Sequence, residues 1–318
     1  MTKSLFSNDP AYRPYEFMGL NGRYAHWPAN SNKARRTFVL LYGQHATLER
    51  ITGVAGALRE FGDVYMVDTP GFGGMDAPYK IDKYPSLEFY ADHLKHFVDE
   101  YLPKDRQLTF MGISYGFQII TKTLASYPEL SSRTEEAISF VGFVNYKDFD
   151  MPLSYKIILM YLLTNMGRTY IGSKILAVIL SRPVLIVALR LSKPFNVHYK
   201  TLEKKDVKEY INQQIWLWTI NDHHTHAATA WDFFRKTDLS KLKINTTVLH
   251  AGVENDHYFK NPQIVEELTG MYKVCHSFEL DLDNHAPLEA KPDEVNKLIP
   301  DKLNAELMKS KNDKAVTK

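Results

Sequence analysis

Cysteine is almost missing from this chain of 318 residues: Cys275 stands alone. A lone cysteine excludes an intramolecular disulfide framework and a cysteine-rich zinc site, and it fits a reducing compartment. A charge surplus is missing too, since 39 Lys and Arg face 37 Asp and Glu for a formal net charge of +2. A nucleic-acid binder needs a marked basic excess to neutralise phosphates, so no nucleic-acid partner is expected. No uncharged apolar stretch reaches the length of about 18 residues that a membrane-spanning helix requires. The most apolar region, Ile157–Leu191, is interrupted by Arg168, Lys174, Arg182, Pro183 and Arg190. The first 17 residues carry Lys3, Asp9, Arg13 and Glu16 and no apolar centre, so they do not read as a secretory signal. A cytoplasmic location is the resulting expectation. Internal repeats and low-complexity segments are absent.

What is present suits a globular enzyme-sized fold. Hydrophobic residues make up 44% of the chain and charged residues 24%, enough to bury a large core. Short, uniformly apolar runs read as buried strands at Thr37–Tyr42, Asp63–Val67, Leu108–Met111, Ala137–Val144, Thr246–His250 and Lys273–Leu280. Helical spacing appears between them at Leu48–Phe61, Ser86–Tyr101, Phe117–Tyr127 and Ile264–Thr269, and again from Pro292. This alternation predicts an α/β fold with a mostly parallel central sheet and helices on both faces. The rhythm stops at about Tyr146 and resumes after Leu242. The expected organisation is a core of residues 1–146 and 243–308, a helical lid insertion of residues 147–242, and a flexible tail of residues 309–318. The carboxyl ends of parallel strands form a ligand crevice, which such an insertion would roof.

Gly112-Ile113-Ser114-Tyr115-Gly116 follows one of these strands and opens the next helix. An abrupt strand-to-helix turn forces its central residue into a strained conformation, and glycines two residues to either side remove side chains that would clash. The serine oxygen is then exposed near the positive end of a helix. A serine hydroxyl needs a base within hydrogen-bond reach, itself oriented by a third group. Of twelve histidines, His285 is placed by its position just after the strand Lys273–Leu280. Asp256 lies in the loop after Thr246–His250. Nucleophile, acid and base thus come in the order Ser, Asp, His, each behind a separate strand.

With these motifs in hand, the chain resembles the α/β-hydrolase superfamily, in particular its lidded serine hydrolases of the esterase and lipase type. The resemblance runs from about Arg35 to Ile299. It rests on Leu41-Tyr42-Gly43-Gln44, Asp68-Thr69-Pro70-Gly71-Phe72-Gly73, the serine elbow, the approach from Thr237-Asp238-Leu239 to Asp256, and Asn284-His285. It implies an oxyanion hole formed by the backbone N–H groups of Gln44 and Tyr115. Many relatives carry His-Gly where this chain has Tyr42-Gly43. Some relatives take the acid from the loop after the preceding strand, which makes Asp148 the alternative acid, with Asp150 and Glu254 also nearby. Serine at position 114 disfavours the aspartate nucleophile of relatives that open epoxides or displace halide.

Together these features point to a serine hydrolase that cleaves a carboxylic ester or related acyl compound with an apolar portion, through an acyl-enzyme. No metal or organic cofactor is required for that chemistry. Alternative readings on the same fold are a C–C bond hydrolase, an amino-end peptidase, or a non-catalytic member that binds an apolar ligand or a protein. His223 and His226 share a helix face but lack the Glu of the zinc-protease spacing. His45 is placed to line the pocket, and Cys275 reads as a core residue. From Met151 to Lys204 the basic residues Lys156, Arg168, Lys174, Arg182, Arg190, Lys193, Lys200 and Lys204 are opposed by Glu203 alone. Two readings of that stretch stand. Either its apolar face packs on the core and lines the pocket, or the stretch makes peripheral contact with an anionic membrane surface. Sequence leaves the oligomeric state open.

Overall fold

The structure is a computed structural model that describes residues 12–31, 36–150, 164–191, 204–253, 256, 259–280 and 292–308. The expected tail, residues 309–318, lies outside the described residues.

The described strands are β1 (Tyr12–Phe17), β2 (Leu20–Trp27), β3 (Arg36–Leu41), β4 (Gly62–Val67), β5 (Leu108–Ile113), β6 (Thr134–Phe140), β7 (Ile244–Gly252) and β8 (Tyr272–Glu279). They form one eight-stranded sheet in the order β1-β2-β4-β3-β5-β6-β7-β8. β1 pairs antiparallel with β2, and β2 with β4, while every pair from β4 to β8 is parallel. β3 and β5 are buried along their whole length, as strands covered on both faces must be. The expected α/β class with a mostly parallel sheet is therefore the observed one.

The helices are α1 (Thr52–Leu58), α2 (Leu87–Tyr101), α3 (Tyr115–Ser126), α4 (Pro128–Ser132), α5 (Thr164–Gly167), α6 (Tyr170–Ile179), α7 (Arg182–Leu191), α8 (Lys204–Ile220), α9 (His223–Arg235), α10 (Asn261–Met271), α11 (Pro292–Leu298) and α12 (Asp301–Met308). Ser86 caps α2 by accepting from Phe89 N–H, a position that serine favours. α5 to α9 all fall between β6 and β7, where the helical insertion is expected.

Three boundaries differ from expectation for physical reasons. The β1–β2 hairpin has no counterpart in the sequence reading because its two-residue turn is Met18-Gly19, not the usual Asn-Gly or Asp-Gly. Both residues still take the positive φ (54° and 81°) that a tight hairpin turn needs. β6 starts at Thr134, before the apolar run, and ends at Phe140, short of the expected Val144, because Val141 turns to φ 45°. The helix expected over Leu48–Phe61 is split into a 3-10 turn, Leu48–Ile51, and α1.

The early start of β6 has a use. Glu135 and Glu136 sit beside the fully buried guanidinium of Arg36 on β3, at 3.7 and 2.7 Å from Nη1. Arg36 also donates to Thr109 Oγ1 and to the carbonyls of Glu306 and Leu307 at the end of α12. A cation at a helix C-terminus satisfies carbonyls that have no intrahelical partner. The amino-terminal edge of the sheet is thereby tied to the last helix.

On the other flank His93 of α2 is buried between the rings of Tyr15 and Phe17, at centroid distances of 5.4 and 5.3 Å. Neither of its ring nitrogens has a hydrogen-bond partner. Burial, and secondarily His96, lowers its pKa to about 3. A group whose folded pKa lies below its unfolded value stabilises fully above the unfolded value, about 6.5, and loses that contribution as pH falls. His93 should therefore cost about 2 kcal/mol at pH ~5. Replacement by phenylalanine (His93→Phe) should raise the urea midpoint and make it less sensitive to acid. Equal pH slopes for the two proteins would show that His93 is not a source of acid lability.

Candidate active site

Ser114 sits between β5 and α3 with φ 51° and ψ −119°. This is a conformation that L-residues avoid and that persists only where surroundings enforce it. The enforcement is visible on both sides. A Cβ on Gly112 would lie 2.5 Å from Phe117 N, and one on Gly116 would lie 2.6 and 2.7 Å from the carbonyl oxygens of Tyr42 and Leu41. Glycine is therefore required at both positions, because β3 and α3 press against the turn. Gly43 makes the third close approach: its Cβ would stand 3.2 Å from Ser114 Cβ. The loop after β3 thus lies against the serine, with Gln44 the next residue along.

Strain is concentrated at this edge. His45, Ser114 and Val141 all have positive φ (59°, 51° and 45°), and they follow β3, β5 and β6, which are adjacent in the sheet. Backbone hydrogen bonds hold them: Ser114 N–H donates to Phe140 O at 3.0 Å, and Val141 N–H to Ala251 O at 2.8 Å.

The loop carrying Gln44 is fastened from two directions. The Gln44 side chain donates to the carbonyl of His226 and to Thr229 Oγ1 on α9, at 2.9 and 2.6 Å. Below it, the Tyr42 hydroxyl donates to Asp68 Oδ1 at 3.2 Å and accepts from Thr69 N–H at 2.8 Å. Asp68 in turn accepts from Arg23 Nε at 3.0 Å, and Arg23 pairs with Glu49 at 2.7 Å. Burial holds the Asp68 carboxyl above the ordinary range, opposed by Arg23. Tyr42 thus joins the loops after β3 and β4.

Tyr115 opens α3, and its N–H belongs to the first turn, where amides lack intrahelical partners. Its ring is buried against Tyr90 and Phe233. Asp256 is half-buried in the loop after β7. Since β5, β7 and β8 run parallel, the segments following them leave from the same edge of the sheet. His285 follows β8 but lies outside the described residues.

Asp148 is engaged in local architecture. Its Oδ2 accepts from the N–H groups of Val144 and Asn145 at 3.0 and 2.8 Å, and its Oδ1 from Gln263 at 3.3 Å. Together with Asn145 it forms a reciprocal capping box. Burial raises its pKa and, with Asp148 nearby, also pushes Glu267 up to about 7.

Two features above the sheet edge are not evident in the sequence. Phe143, Phe149, Phe233, Phe234 and Phe259 pack ring on ring at 4.4 to 5.7 Å, joining α9 to the strand ends. Beside Gln44, His45 lies 3.9 Å from the Trp218 ring and 5.2 Å from that of His226. Burial lowers both histidines, His226 to about 3, so neutral imidazoles border the serine loop. His223 stacks on Trp218 at 6.0 Å, and among the described residues no three His, Cys, Asp or Glu side chains are grouped to hold a metal ion. Cys275 is only half-buried, on the edge strand β8, because an edge strand leaves part of each side chain open.

Eight strands in this order, a strained serine behind β5 and helices inserted after β6 constitute a known arrangement. The chain has the α/β-hydrolase fold. The enol-lactonase of Burkholderia xenovorans LB400 superimposes with a TM-score of 0.63 at 17% identity, covering 92% of this chain and all (100%) of that one. A hydrolase from Pseudomonas aeruginosa PA01 gives 0.65 at 13% identity, over 95% and 100% of the two chains. Epoxide hydrolase CorEH gives 0.63 at 14%, over 90% and 95%. No protein-family model matches the chain, and no curated protein is significantly similar in sequence.

The strain at the elbow predicts an unusual stability order. Glycine adopts positive φ without a steric penalty, so Ser114→Gly should be more stable than Ser114→Ala by about 1 kcal/mol or more. Urea unfolding of the two variants measures this; coincident midpoints would mean that the backbone there is unstrained.

Proposed function

We propose that this chain is a serine hydrolase that cleaves a carboxylic ester, or a related acyl compound with an apolar portion, through an acyl-enzyme. The observation that carries the reading is Ser114 at φ 51° on a turn enforced by Gly112 and Gly116. Strained residues of this kind cluster at active sites, ligand clamps and switch regions. Serine hydrolysis then follows in two halves. Ser114 Oγ attacks the carbonyl carbon while His285 takes its proton, and Asp256 holds the imidazolium in place. The negative charge that develops on the carbonyl oxygen is met by the N–H groups of Gln44 and Tyr115. His285 returns its proton to the leaving alcohol, then activates a water that releases the acid and frees Ser114.

Several observations support this reading. The Gln44 side chain is committed to His226 and Thr229, which restricts the loop and keeps its backbone donor oriented before charge appears. Preorganised donors are the most effective kind. The helices between β6 and β7 serve as a lid in this reading: Asp222 N–H donates to Gly71 O, and Gly73 N–H to Asn221 Oδ1, so the insertion is clasped to the loop after β4. In this reading the partly exposed residues His45 and Trp218, beside Gln44, supply aromatic surface for the acyl portion. Hydrolase names among the structural neighbours agree with hydrolytic chemistry on this fold, and a serine at 114 favours an acyl-enzyme over an aspartyl ester.

Replacing Ser114 with alanine should abolish both hydrolysis of p-nitrophenyl esters and labelling by a fluorophosphonate probe. A variant that keeps full turnover would remove Ser114 from the mechanism. The two acids separate in the same assay. Asp256→Asn should lower kcat by about 10⁴-fold, the loss expected when the histidine's orienting acid is neutralised. Asp148→Asn should lower the melting temperature, because an amide NH2 must replace one of the two oxygens that accept from Val144, Asn145 and Gln263, while leaving kcat within a few-fold. The reverse pattern would assign the catalytic role to Asp148.

A further inference from the structure

α6 is amphipathic in the opposite sense to an ordinary surface helix. Its inward face carries Gly172, Ser173 and Leu176, which are buried, against α5 and α9. The fit is close: a Cβ on Gly172 would meet Met166 O. Its outward face carries Tyr170, Ile171, Ile175, Val178 and Ile179, with Ile171 74% and Val178 71% exposed. These residues recur at helical spacing along one stripe. α7 also exposes Val184 and Val187, while its Leu185 turns inward toward Ile211 and Ile215 of α8. The apolar face therefore does not pack on the core here, and an exposed contiguous apolar surface marks a docking site.

The charges carried by these two helices have one sign. From Tyr170 to Leu191 the sequence has Lys174, Arg182 and Arg190 and no Asp or Glu. Lys174 lies on the stripe itself, its ammonium 5.3 Å from the centroid of the Tyr170 ring, and Arg182 is exposed at the start of α7. No helix among the described residues is long and apolar enough to cross a membrane. Aliphatic side chains flanked by cations, on helices too short to span, match a bilayer interface: the aliphatic groups enter the acyl region, and the cations meet anionic headgroups.

We propose that α6 and α7 form a docking surface for an anionic phospholipid bilayer, on which the protein binds peripherally. A neutral or purely apolar partner would leave the cations without counter-charges. The proposal goes beyond the hydrolase reading and does not depend on it.

The test is co-sedimentation of the full-length protein with vesicles of phosphatidylcholine alone and of an equimolar mixture with phosphatidylglycerol. Binding is expected to the mixed vesicles, at least about tenfold weaker to phosphatidylcholine, and weakened by salt. Ile171→Glu with Val178→Glu should abolish it. Lys174→Glu with Arg182→Glu should weaken it by about tenfold or more. All four positions are exposed, so unchanged melting temperatures separate loss of docking from unfolding. Ser114→Ala should bind like the unaltered protein, which keeps this result distinct from any failure of the catalytic proposal. Absence of binding to mixed vesicles would overturn the proposal. So would a dimer in solution that Ile171→Glu with Val178→Glu converts to monomer, since a second copy would then own the surface.

Discussion

The site depends on one steric constraint: backbone segments close in on the Ser114 turn more tightly than side chains at 112 and 116 permit. α3 crowds position 112, β3 crowds position 116, and the loop after β3 comes close to the serine at Gly43. The first two approaches are tolerable only because a Cβ is missing there. The result is a hydroxyl-bearing residue held off the end of β5 with little room to relax. Adjacent strand ends share the condition, since His45 and Val141 also carry positive φ. For Val141 this is notable, because a β-branched side chain makes the left-handed region especially costly. The sheet concentrates its strain along the edge where a ligand would sit.

Holding such an edge requires fasteners, and most are polar. The Tyr42–Asp68–Arg23–Glu49 network binds the loops after β3 and β4 to the hairpin strand β2. From above, Gln44 is held by α9. The first fastener explains what the antiparallel hairpin contributes: it brings Arg23 to a buried carboxylate that would otherwise lack a cation. Paired burial of this sort is sensitive to the loss of either partner, so the two halves of the network stand or fall together.

Sequence reasoning reached the parallel sheet and the elbow because both leave local signatures. Uniformly apolar runs mark β3 and β5, and Gly112 and Gly116 occur where contacts forbid side chains. It missed the β1–β2 hairpin because Met18-Gly19 reaches positive φ without the residues that usually announce it. It placed the end of β6 too late because Val141 looks like strand and is not. For α6, periodicity showed a stripe but not its direction. Which face turns inward depends on packing against α9, where Leu176 and Ala227 both crowd Gly167, a long-range contact no local pattern encodes. Asp148 is wrapped in backbone donors, an environment that depends on how the chain turns after β6 and that no local pattern announces.

The clamp formed by Arg36 has a practical consequence. Because its guanidinium grips the final carbonyls of α12 beneath the amino-terminal edge of the sheet, the helix ending at Met308 is a firm post on the side of the molecule away from Ser114. Attachment to a bead or sensor chip through that post would present the opposite side, with its serine loop, to the bulk solution in a uniform orientation.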